Sequence, residues 1–409
     1  MNKYFSIGDK VYDLTEKYPI IIDFLVSKGL DNIKNEIMRK TIGKTISLET
    51  ALKVKGFDVN EVERQIVSLI EDSSFDLSSG LAETFKKNDG DLKISGILPC
   101  PIRVQLLESL DKWLVENDIK ADYELQAASM GLDWLREKML GSSAKELSDI
   151  YLSAGFSLFF DNEVMGEHLK NNVFSNVISV SRFNKCFDNK EIDLKDPKNQ
   201  YTIIGVVPAI FMVNTALLGD RQFPKSWADL LKPEFENTIA LPMSDLDLFN
   251  AVLLGIYKEY GEEGVKKLGK GLLKSMHPAQ MIKEGGKRKV SQAPIITVMP
   301  YFFTWMAKEG SDLKPVWPDD GAIISPIFLI TKAGAGEKTK ALANYLFSKE
   351  MGNVMSANGK FPSTHPQVDN LLSDEQRFLW MGWDFIYNND IGKLLKQTEQ
   401  MFYSGIEER

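Results

Sequence analysis

The stretch Tyr201–Asn214, YTIIGVVPAIFMVN, lies in the middle of the chain and is almost entirely apolar and β-branched. Such a continuous run predicts a strand buried on both faces, and Pro208 inside it indicates a bend, a bulge or an edge position. A second such run, Ala322–Thr331 (AIISPIFLIT), contains Pro326. We expect the two runs to be hinge strands that cross between two lobes. The alternative is that both are core strands of an ordinary α/β domain.

The length, composition and net charge of the chain limit the classes of protein to which it can belong. A length of 409 residues predicts two or three domains, and 44% hydrophobic with 26% charged residues is typical of a soluble globular protein. The net charge of −8 gives no general attraction for nucleic acid or for an anionic membrane, so neither is predicted as a partner. Cys100 and Cys186 are too few for a disulfide framework and are expected to be free thiols in a reducing compartment.

The amino-terminal sequence MNKYFSIGDKVYDL has no apolar segment of the kind that a secretory signal contains. No window reaches the roughly 18 uninterrupted apolar residues of a membrane helix. The sequence therefore predicts no direct membrane insertion and a cytoplasmic location. If the sequence is a trimmed piece of a longer protein, a periplasmic or extracellular location is expected instead.

The pattern of apolar residues divides the chain into three parts. Residues 1–72 show helical spacing and predict a small all-α domain. Residues 73–91 are polar and are expected to be a linker. From residue 92 onward, strands alternate with helices in the rhythm of an open α/β sheet. In such sheets, ligands collect at the carboxyl ends of the strands.

The helical module contains Tyr18, Pro19, Phe24, Leu25, Gly29, Leu48 and Ala51. At these positions it resembles the small domain that accompanies hybrid-cluster proteins. That family often carries cysteine directly after the glycine, where this chain has Leu30, Asp31 and Asn32. The resemblance therefore implies no redox role, and we expect the module to contact a protein partner.

A larger part of the chain, residues 93–368, contains in order the stretches KSWADLL at 225–231, NTIALP at 237–242, VWPDDG at 316–321, KALANYLFS at 340–348 and FP at 361–362. With these stretches it resembles the type II solute-binding proteins of ABC transporters, in the branch that takes iron(III), thiamine and phosphonates. The resemblance implies a two-lobed type II periplasmic-binding-protein-like α/β fold with two hinge crossovers. Lobe 1 would comprise residues 92–205 and 320–409, and lobe 2 residues 206–319.

One departure from that branch concerns metal binding. Iron-binding members place adjacent tyrosines in the segment that corresponds to VMPYFFTWM, where this chain has Tyr301, Phe302 and Phe303. Fe(III) prefers oxygen ligands, which phenylalanine cannot supply. Iron binding through a tyrosine pair is therefore not expected.

The predicted cleft takes its ligand-binding residues from strand ends and helix starts. The predicted residues are Pro99, Cys100, Arg103, Ser129, Met130, Ser153, Ala154, Ser244, Asp245, Tyr301 and Ser325. Hydroxyls and free N–H groups at helix starts favour an anion or a small carboxylate, and an arginine can hold an anion with two hydrogen bonds. Asp245 would instead suit a ligand amine. For each serine, the alternative and commoner role is that of an N-cap or turn residue.

Signatures of catalysis are weak. His168, His277 and His365 are far apart and lack the spacing of metal ligands, and no GxSxG, P-loop or GxGxxG motif occurs. No catalytic residue, metal or cofactor is predicted. The leading prediction is a non-catalytic binding protein for a small ligand, of the ABC-transporter type or acting as a cytoplasmic ligand sensor. The alternatives are an enzyme that uses the cleft and a scaffold whose cleft is vestigial.

Overall fold

The structure is a computed structural model with a helical amino-terminal region and a larger α/β region. It describes residues 4–409 apart from 19–20, 28–29, 56, 58, 60–61, 64–65, 68–69, 71–84, 87–89, 91, 129–130, 179–181, 189–191, 244–245, 276–292, 307–309 and 359–360. No helix in this described part combines the length and the apolar composition that a membrane span requires.

The amino-terminal region has its own hydrophobic core within residues 5–70. Its helices are α1 (Val11–Lys17), α2 (Ile21–Ser27), α3 (Glu36–Thr41) and α4 (Leu48–Val54). The hydroxyl of Ser47 accepts a hydrogen bond from the backbone N–H of Thr50 and so caps α4, which is the role that serine prefers at a helix start. The prediction of a small helical domain at this end of the chain is confirmed, while its limits at residues 1–72 stay a prediction.

The strands of the described part of the chain form one sheet. They are β1 (Phe85–Lys86), β2 (Leu92–Leu98), β3 (Ala121–Ala127), β4 (Ile150–Ala154), β5 (Tyr201–Asn214), β6 (Ile239–Leu241), β7 (Leu272–Ser275), β8 (Ile296–Pro300), β9 (Leu313–Val316), β10 (Ala322–Thr331) and β11 (Phe378–Leu379). The strand order is β1-β3-β2-β4-β10-β5-β8-β6-β7, with β11 beside β10 and β9 beside β5. We call the part built on β1–β4 lobe 1 and the part built on β6–β9 lobe 2.

Helices cover the sheet and connect its strands. They are α5 (Cys100–Glu116), α6 (Asp133–Met139), α7 (Asn162–Lys170), α8 (Thr215–Leu218), α9 (Trp227–Leu230), α10 (Leu246–Gly271), α11 (Glu337–Leu346), α12 (Lys349–Asn353), α13 (Trp383–Asn388) and α14 (Ile391–Glu407). A 3₁₀ helix, Tyr301–Met306, follows β8 directly. Helices α5, α6 and α7 lie in lobe 1 between or after its strands, and α10 connects β6 to β7 in lobe 2.

Strands β5 and β10 join the two lobes. They pair antiparallel from Tyr201 beside Ile330 to Ala209 beside Ile323, and every residue of both strands is buried. One end of β10 also pairs with β4 of lobe 1, and one end of β5 pairs with β8 and β9 of lobe 2. The prediction of two hinge strands in a two-lobed α/β fold is therefore confirmed.

Two of the stretches that carried the family resemblance meet in lobe 2. The indole Nε1 of Trp227 donates to the carbonyl oxygen of Gly321 at 2.9 Å, and its ring packs edge-on against Phe211 with the centroids 4.7 Å apart. The backbone N–H of Trp227 donates to the Asp320 carboxylate at 2.9 Å. These contacts connect the turn before α9 to the turn that leads into β10. The KSWADLL and VWPDDG stretches are thus explained by the way in which these two turns pack together in the fold.

Candidate functional site

The carboxyl ends of the lobe 1 strands lie at one edge of the sheet. Strand β2 pairs parallel with both β3 and β4, so the segments that follow these three strands emerge on the same side. They begin at Pro99, at residue 128 and at Gly155. This is the edge at which open α/β sheets bind ligands.

The corresponding edge of lobe 2 is formed by β6 and β8. These strands also run parallel, so α10, which begins soon after β6, and the 3₁₀ helix after β8 start at the same edge. Asp247 lies in the first turn of α10 and places a carboxylate there. Tyr301 begins the 3₁₀ helix.

The two edges touch at Gly155 and Asp247. A Cβ atom placed on Gly155 would lie 2.3 Å from Oδ1 of Asp247, so the aspartate side chain occupies the space that a side chain at position 155 would need. Gly155 has a φ of +82° and donates its N–H to the carbonyl oxygen of Pro326 in β10 at 3.0 Å. A strand-end loop of lobe 1, a helix start of lobe 2 and a hinge strand therefore meet at one position.

Ser325 lies in this hinge strand, one residue before Pro326. It is 1% exposed, and its hydroxyl has no hydrogen-bond partner among the residues that the structure describes. A buried hydroxyl without a partner is costly, and such groups are uncommon in folded proteins. The predicted ligand residue thus lies at the centre of the hinge, with unused hydrogen-bonding capacity.

A second contact between the lobes is aromatic. Phe302, in the 3₁₀ helix of lobe 2, lies with its ring centroid 5.0 Å from that of Phe361. The backbone N–H of Phe361 donates to the carbonyl oxygen of Met355 at 3.1 Å, which fixes Phe361 to the segment after α12. Tyr301 packs edge-on against Trp317 at 5.1 Å. Phenylalanine rings therefore pack where the resemblance placed a tyrosine pair in iron-binding proteins.

The other described residues of the predicted site lie inside lobe 1. Pro99 is buried and lines an apolar pocket beneath α5. Arg103 is 4% exposed and donates from Nε to the carbonyl oxygen of Leu125 at 3.2 Å. Ser153 is fully buried and donates its hydroxyl proton to the carbonyl oxygen of Ala154 at 3.1 Å. Their assignment as ligand contacts stays a prediction.

Four predicted residues lie outside the described part of the chain, namely Ser129, Met130, Ser244 and Asp245. Cys100 begins α5, but its side chain is also outside the described part. Sequence reasoning missed Asp247, because the cap pattern of SDLD directed attention to the serine and the first aspartate. The signal that could have found it is the second carboxylate of the same helix start.

The described residues include no group of three or more His, Cys, Asp or Glu side chains that could hold a metal ion. The chemistry that the described edge offers is a carboxylate, a buried hydroxyl and several aromatic rings. Such a set can bind a small polar ligand through hydrogen bonds and ring contacts.

The fold and this edge define a two-lobed ligand-binding protein of the periplasmic type. Residues 145–389, more than half of the chain, match the family model described as bacterial extracellular solute-binding protein. The chain belongs to this family, whose members are binding proteins. Residues 7–62 match a domain of unknown function, DUF1858.

Known proteins of this kind agree with the assignment. The spermidine/putrescine-binding periplasmic protein of Salmonella typhimurium is 28% identical over 196 residues, which cover 44% of this chain and 54% of the relative. The chain thus spans about half the length of the curated relatives that it matches.

Two solved structures show the same fold. The ferric binding protein from Campylobacter jejuni is 16% identical, with a TM-score of 0.55 over 77% of this chain and 99% of that one. The periplasmic binding protein AfuA from Actinobacillus pleuropneumoniae, solved with exogenous fructose-6-phosphate bound, is 15% identical, with a TM-score of 0.52 over 78% of this chain and 99% of that one. At such identities the likeness concerns the fold alone.

Proposed function

We propose that this chain binds one small polar ligand between lobe 1 and lobe 2 and releases it chemically unchanged. The observation that carries the proposal is the meeting of Gly155 and Asp247 beside the hinge strand β10. Two strand-end edges face each other there, so a ligand held between them would contact both lobes. Membership of a solute-binding family supports the same function.

The ligand class follows from the groups at this position. Asp247 provides a carboxylate, which favours an ammonium group over an anion. The 3₁₀ helix at the neighbouring strand end begins with the aromatic residues Tyr301, Phe302 and Phe303. Aromatic rings also attract a cation. The curated relatives are named for spermidine and putrescine, which are amines. We therefore favour an amine-bearing ligand.

The sequence favoured an anion or a small carboxylate instead, and this remains the competing proposal. Its basis was Arg103 with Ser129, Ser153 and Ser244, of which Arg103 and Ser153 are described. Arg103 is buried and donates from Nε to the Leu125 carbonyl, and the fully buried Ser153 hydroxyl donates to the Ala154 carbonyl. An anion would therefore depend chiefly on residues 129–130 and 244–245 and on the neighbouring backbone.

Membership in the iron, thiamine and phosphonate branch is likewise a proposal. The packing of Phe302 on Phe361 gives no oxygen ligand at the position of the tyrosine pair. This geometry argues against iron held by two tyrosines. An organic ligand fits the apolar rings better.

The helical amino-terminal region is proposed to contact a protein partner. It carries its own core within residues 5–70, so it does not depend on the lobes for its hydrophobic interior. Its similarity to the domain that accompanies hybrid-cluster proteins stays a proposal beside the match to DUF1858. A role in passing the ligand-bound state to a transporter or a sensor would use this region.

Two observations point to opposite cellular locations for this protein. The family description says extracellular, and the curated relatives are periplasmic, which supports a place outside the cytoplasm. The cytoplasmic prediction rests on the amino-terminal residues of this sequence. Fractionation of native cells, followed by detection of the full-length protein, separates a transport protein from a cytoplasmic sensor.

The ligand class is tested by thermal unfolding of the full-length protein with putrescine, spermidine, phosphate, sulfate and citrate. A ligand at about 100 times its Kd stabilises the folded state by about 2.7 kcal/mol, so an amine is expected to raise Tm by several degrees. Asp247→Asn should abolish this shift. Asp220→Asn, at an exposed site in lobe 2, should keep it.

Other outcomes of this experiment decide between the proposals. A shift with phosphate, sulfate or citrate alone would support the anion and contradict the amine. Chemical conversion of a compound that shifts Tm, measured separately by mass spectrometry of the incubated compound, would support an enzyme. The absence of any shift across the panel would favour a scaffold with a vestigial cleft.

A further inference from the structure

The last helix of the chain, α14, is attached to α10 of lobe 2 by direct contact of the two backbones. A Cβ atom on Gly405 would lie 2.1 Å from the carbonyl oxygen of Lys266, and one on Gly269 would lie 2.2 Å from that of Phe402. The Phe402 ring packs edge-on against Phe249 with the centroids 5.3 Å apart. The backbone of α10 is kinked at Gly261, where φ is +66° and ψ is −164°, and residues on both sides of this kink contact α14.

Charged groups strengthen this attachment at the end of the chain. Glu408 lies 3.2 Å from Nζ of Lys270 and 3.9 Å from Nζ of Lys266. Arg409 donates from Nη1 to Oδ1 of Asn237, two residues before β6, at 2.9 Å. The carboxyl-terminal end of α14 is therefore held to lobe 2 by aromatic packing, by close backbone contact and by ion pairs.

The helix before it, α13, is attached to lobe 1. Trp383 stacks on Tyr201 with the centroids 5.9 Å apart. The Tyr387 hydroxyl donates to Oδ1 of Asp196 at 2.6 Å. In the described part of the chain, the backbone thus passes from lobe 1 to lobe 2 once more between α13 and the carboxyl-terminal end of α14, in addition to the two hinge strands.

The start of α14 rests on lobe 1 through Gly392. A Cβ atom on Gly392 would lie 3.3 Å from Cα of Asp161, which is tight but not overlapping. Asp161 caps α7 by accepting from the N–H of Glu163 at 2.8 Å, and it pairs with Arg136 of α6. In the sequence, α6 comes shortly after the predicted ligand residues 129 and 130. The contact of Gly392 with Asp161 therefore connects α14 to α7 directly and to α6 through Arg136.

From these contacts we propose that α14 is a third connection between the lobes, that it moves with lobe 2, and that the contact of Gly392 with Asp161 helps to hold the lobes together. The proposal rests on the two-lobed binding function proposed above. A helix is stiff, so α14 must follow the lobe that holds it more strongly. Backbone contact, rings and ion pairs hold it to lobe 2, whereas Gly392 gives lobe 1 a van der Waals contact. When the lobes separate, the contact of Gly392 with Asp161 breaks before those of α14 with lobe 2.

A substitution that adds a large side chain at Gly392 tests the proposal. Gly392→Leu is compared with Gly166→Leu. Gly166, in α7 of lobe 1, is like Gly392 a half-exposed helical glycine, but its Cβ would meet Asn162 at an ordinary 3.7 Å. Both changes are made in the full-length chain with Cys100→Ala and Cys186→Ala. Spin labels at Glu116→Cys in lobe 1 and Asp220→Cys in lobe 2, both exposed, report the interlobe distance by double electron–electron resonance, with no ligand added.

The proposal expects Gly392→Leu to shift the distance distribution to longer values, while Gly166→Leu keeps that of the parent. If circular dichroism shows that Gly392→Leu is unfolded, Gly392→Ala replaces it, because a methyl group at 3.3 Å requires a movement of only a few tenths of an ångström. Parent-like distances in the folded Gly392 variant, or an equal shift in Gly166→Leu, would overturn the proposal. Since no ligand is used, a failure of the binding function leaves this result unaffected.

Discussion

At the scale of single residues, Gly155 decides how closely the lobes approach. Its positive φ of +82° is a backbone region that side-chain-bearing residues rarely adopt, and the Asp247 carboxylate fills the space beside it. A glycine is therefore required at this position for two independent reasons. The sequence shows SAG after a strand, which predicts a turn, but it does not show that a helix start from the other lobe fills the space.

Gly155→Ala should lower stability and separate the lobes at this point. The change adds a left-handed backbone cost of about 1–2 kcal/mol and a clash with Asp247. Gly141→Ala is the matched control, because Gly141 has a φ of +73° with nothing within 4 Å of its Cβ position. Urea unfolding should show the larger loss for Gly155→Ala. A loss no larger than that of Gly141→Ala would mean that the contact with Asp247 has no energetic weight.

His365 makes stability depend on pH. Burial, with the Lys349 charge as a smaller cause, holds the pKa of this imidazole below its usual 6.5. The folded protein then binds fewer protons than the unfolded chain between that lowered pKa and 6.5, so the histidine's contribution to stability falls as pH drops through this window. His365→Gln should flatten the fall in Tm between pH 7 and pH 5. An unchanged pH profile, with the variants equal at pH 8, would contradict this assignment.

At the scale of secondary-structure elements, the sequence allows the hinge to be predicted but not its surroundings. Two long apolar runs with internal prolines were enough to identify β5 and β10, because strands buried on both faces need continuous apolar sequence. The register between them, with its irregularity after Ile327, depends on pairing across the sheet and cannot be derived from either run alone. The path of α14 across α10 cannot be derived from the sequence either. The close contact of these helices depends on Gly269 and Gly405, which are 136 positions apart.

Gly405→Ala is expected to disturb the contact between α14 and α10. The added methyl group would meet the Lys266 carbonyl oxygen, a backbone atom that cannot turn away, so a loss of about 1–3 kcal/mol is expected for overpacking of this kind. Gly166→Ala in α7 is the control, since its Cβ has room at 3.7 Å and alanine favours the helix. Thermal unfolding followed by circular dichroism should show a lower Tm for Gly405→Ala alone. Equal midpoints would show that the helices can separate slightly without cost.

At the scale of the whole molecule, two lobes share a continuous sheet, and the hinge strands run through its middle. The lobes touch at Gly155 with Asp247 and at Phe302 with Phe361. The sequence could place the candidate site only at the strand ends, because parallel strands bring their carboxyl ends together, and this placement stays a prediction. The second carboxylate of the helix start pointed to Asp247 as a candidate, but its contact with Gly155 could not be predicted, since the approach of a helix from the second lobe is a property of the folded molecule.

The central claim is that one small ligand is held between the lobes, and native mass spectrometry of the gently purified full-length protein tests it most directly. Comparison with the denatured mass should reveal one additional small mass per chain. Asp247→Asn should lose that mass and Asp220→Asn should retain it. A bare chain in the native spectrum, together with a Tm that no amine, oxyanion or carboxylate shifts, would contradict the claim.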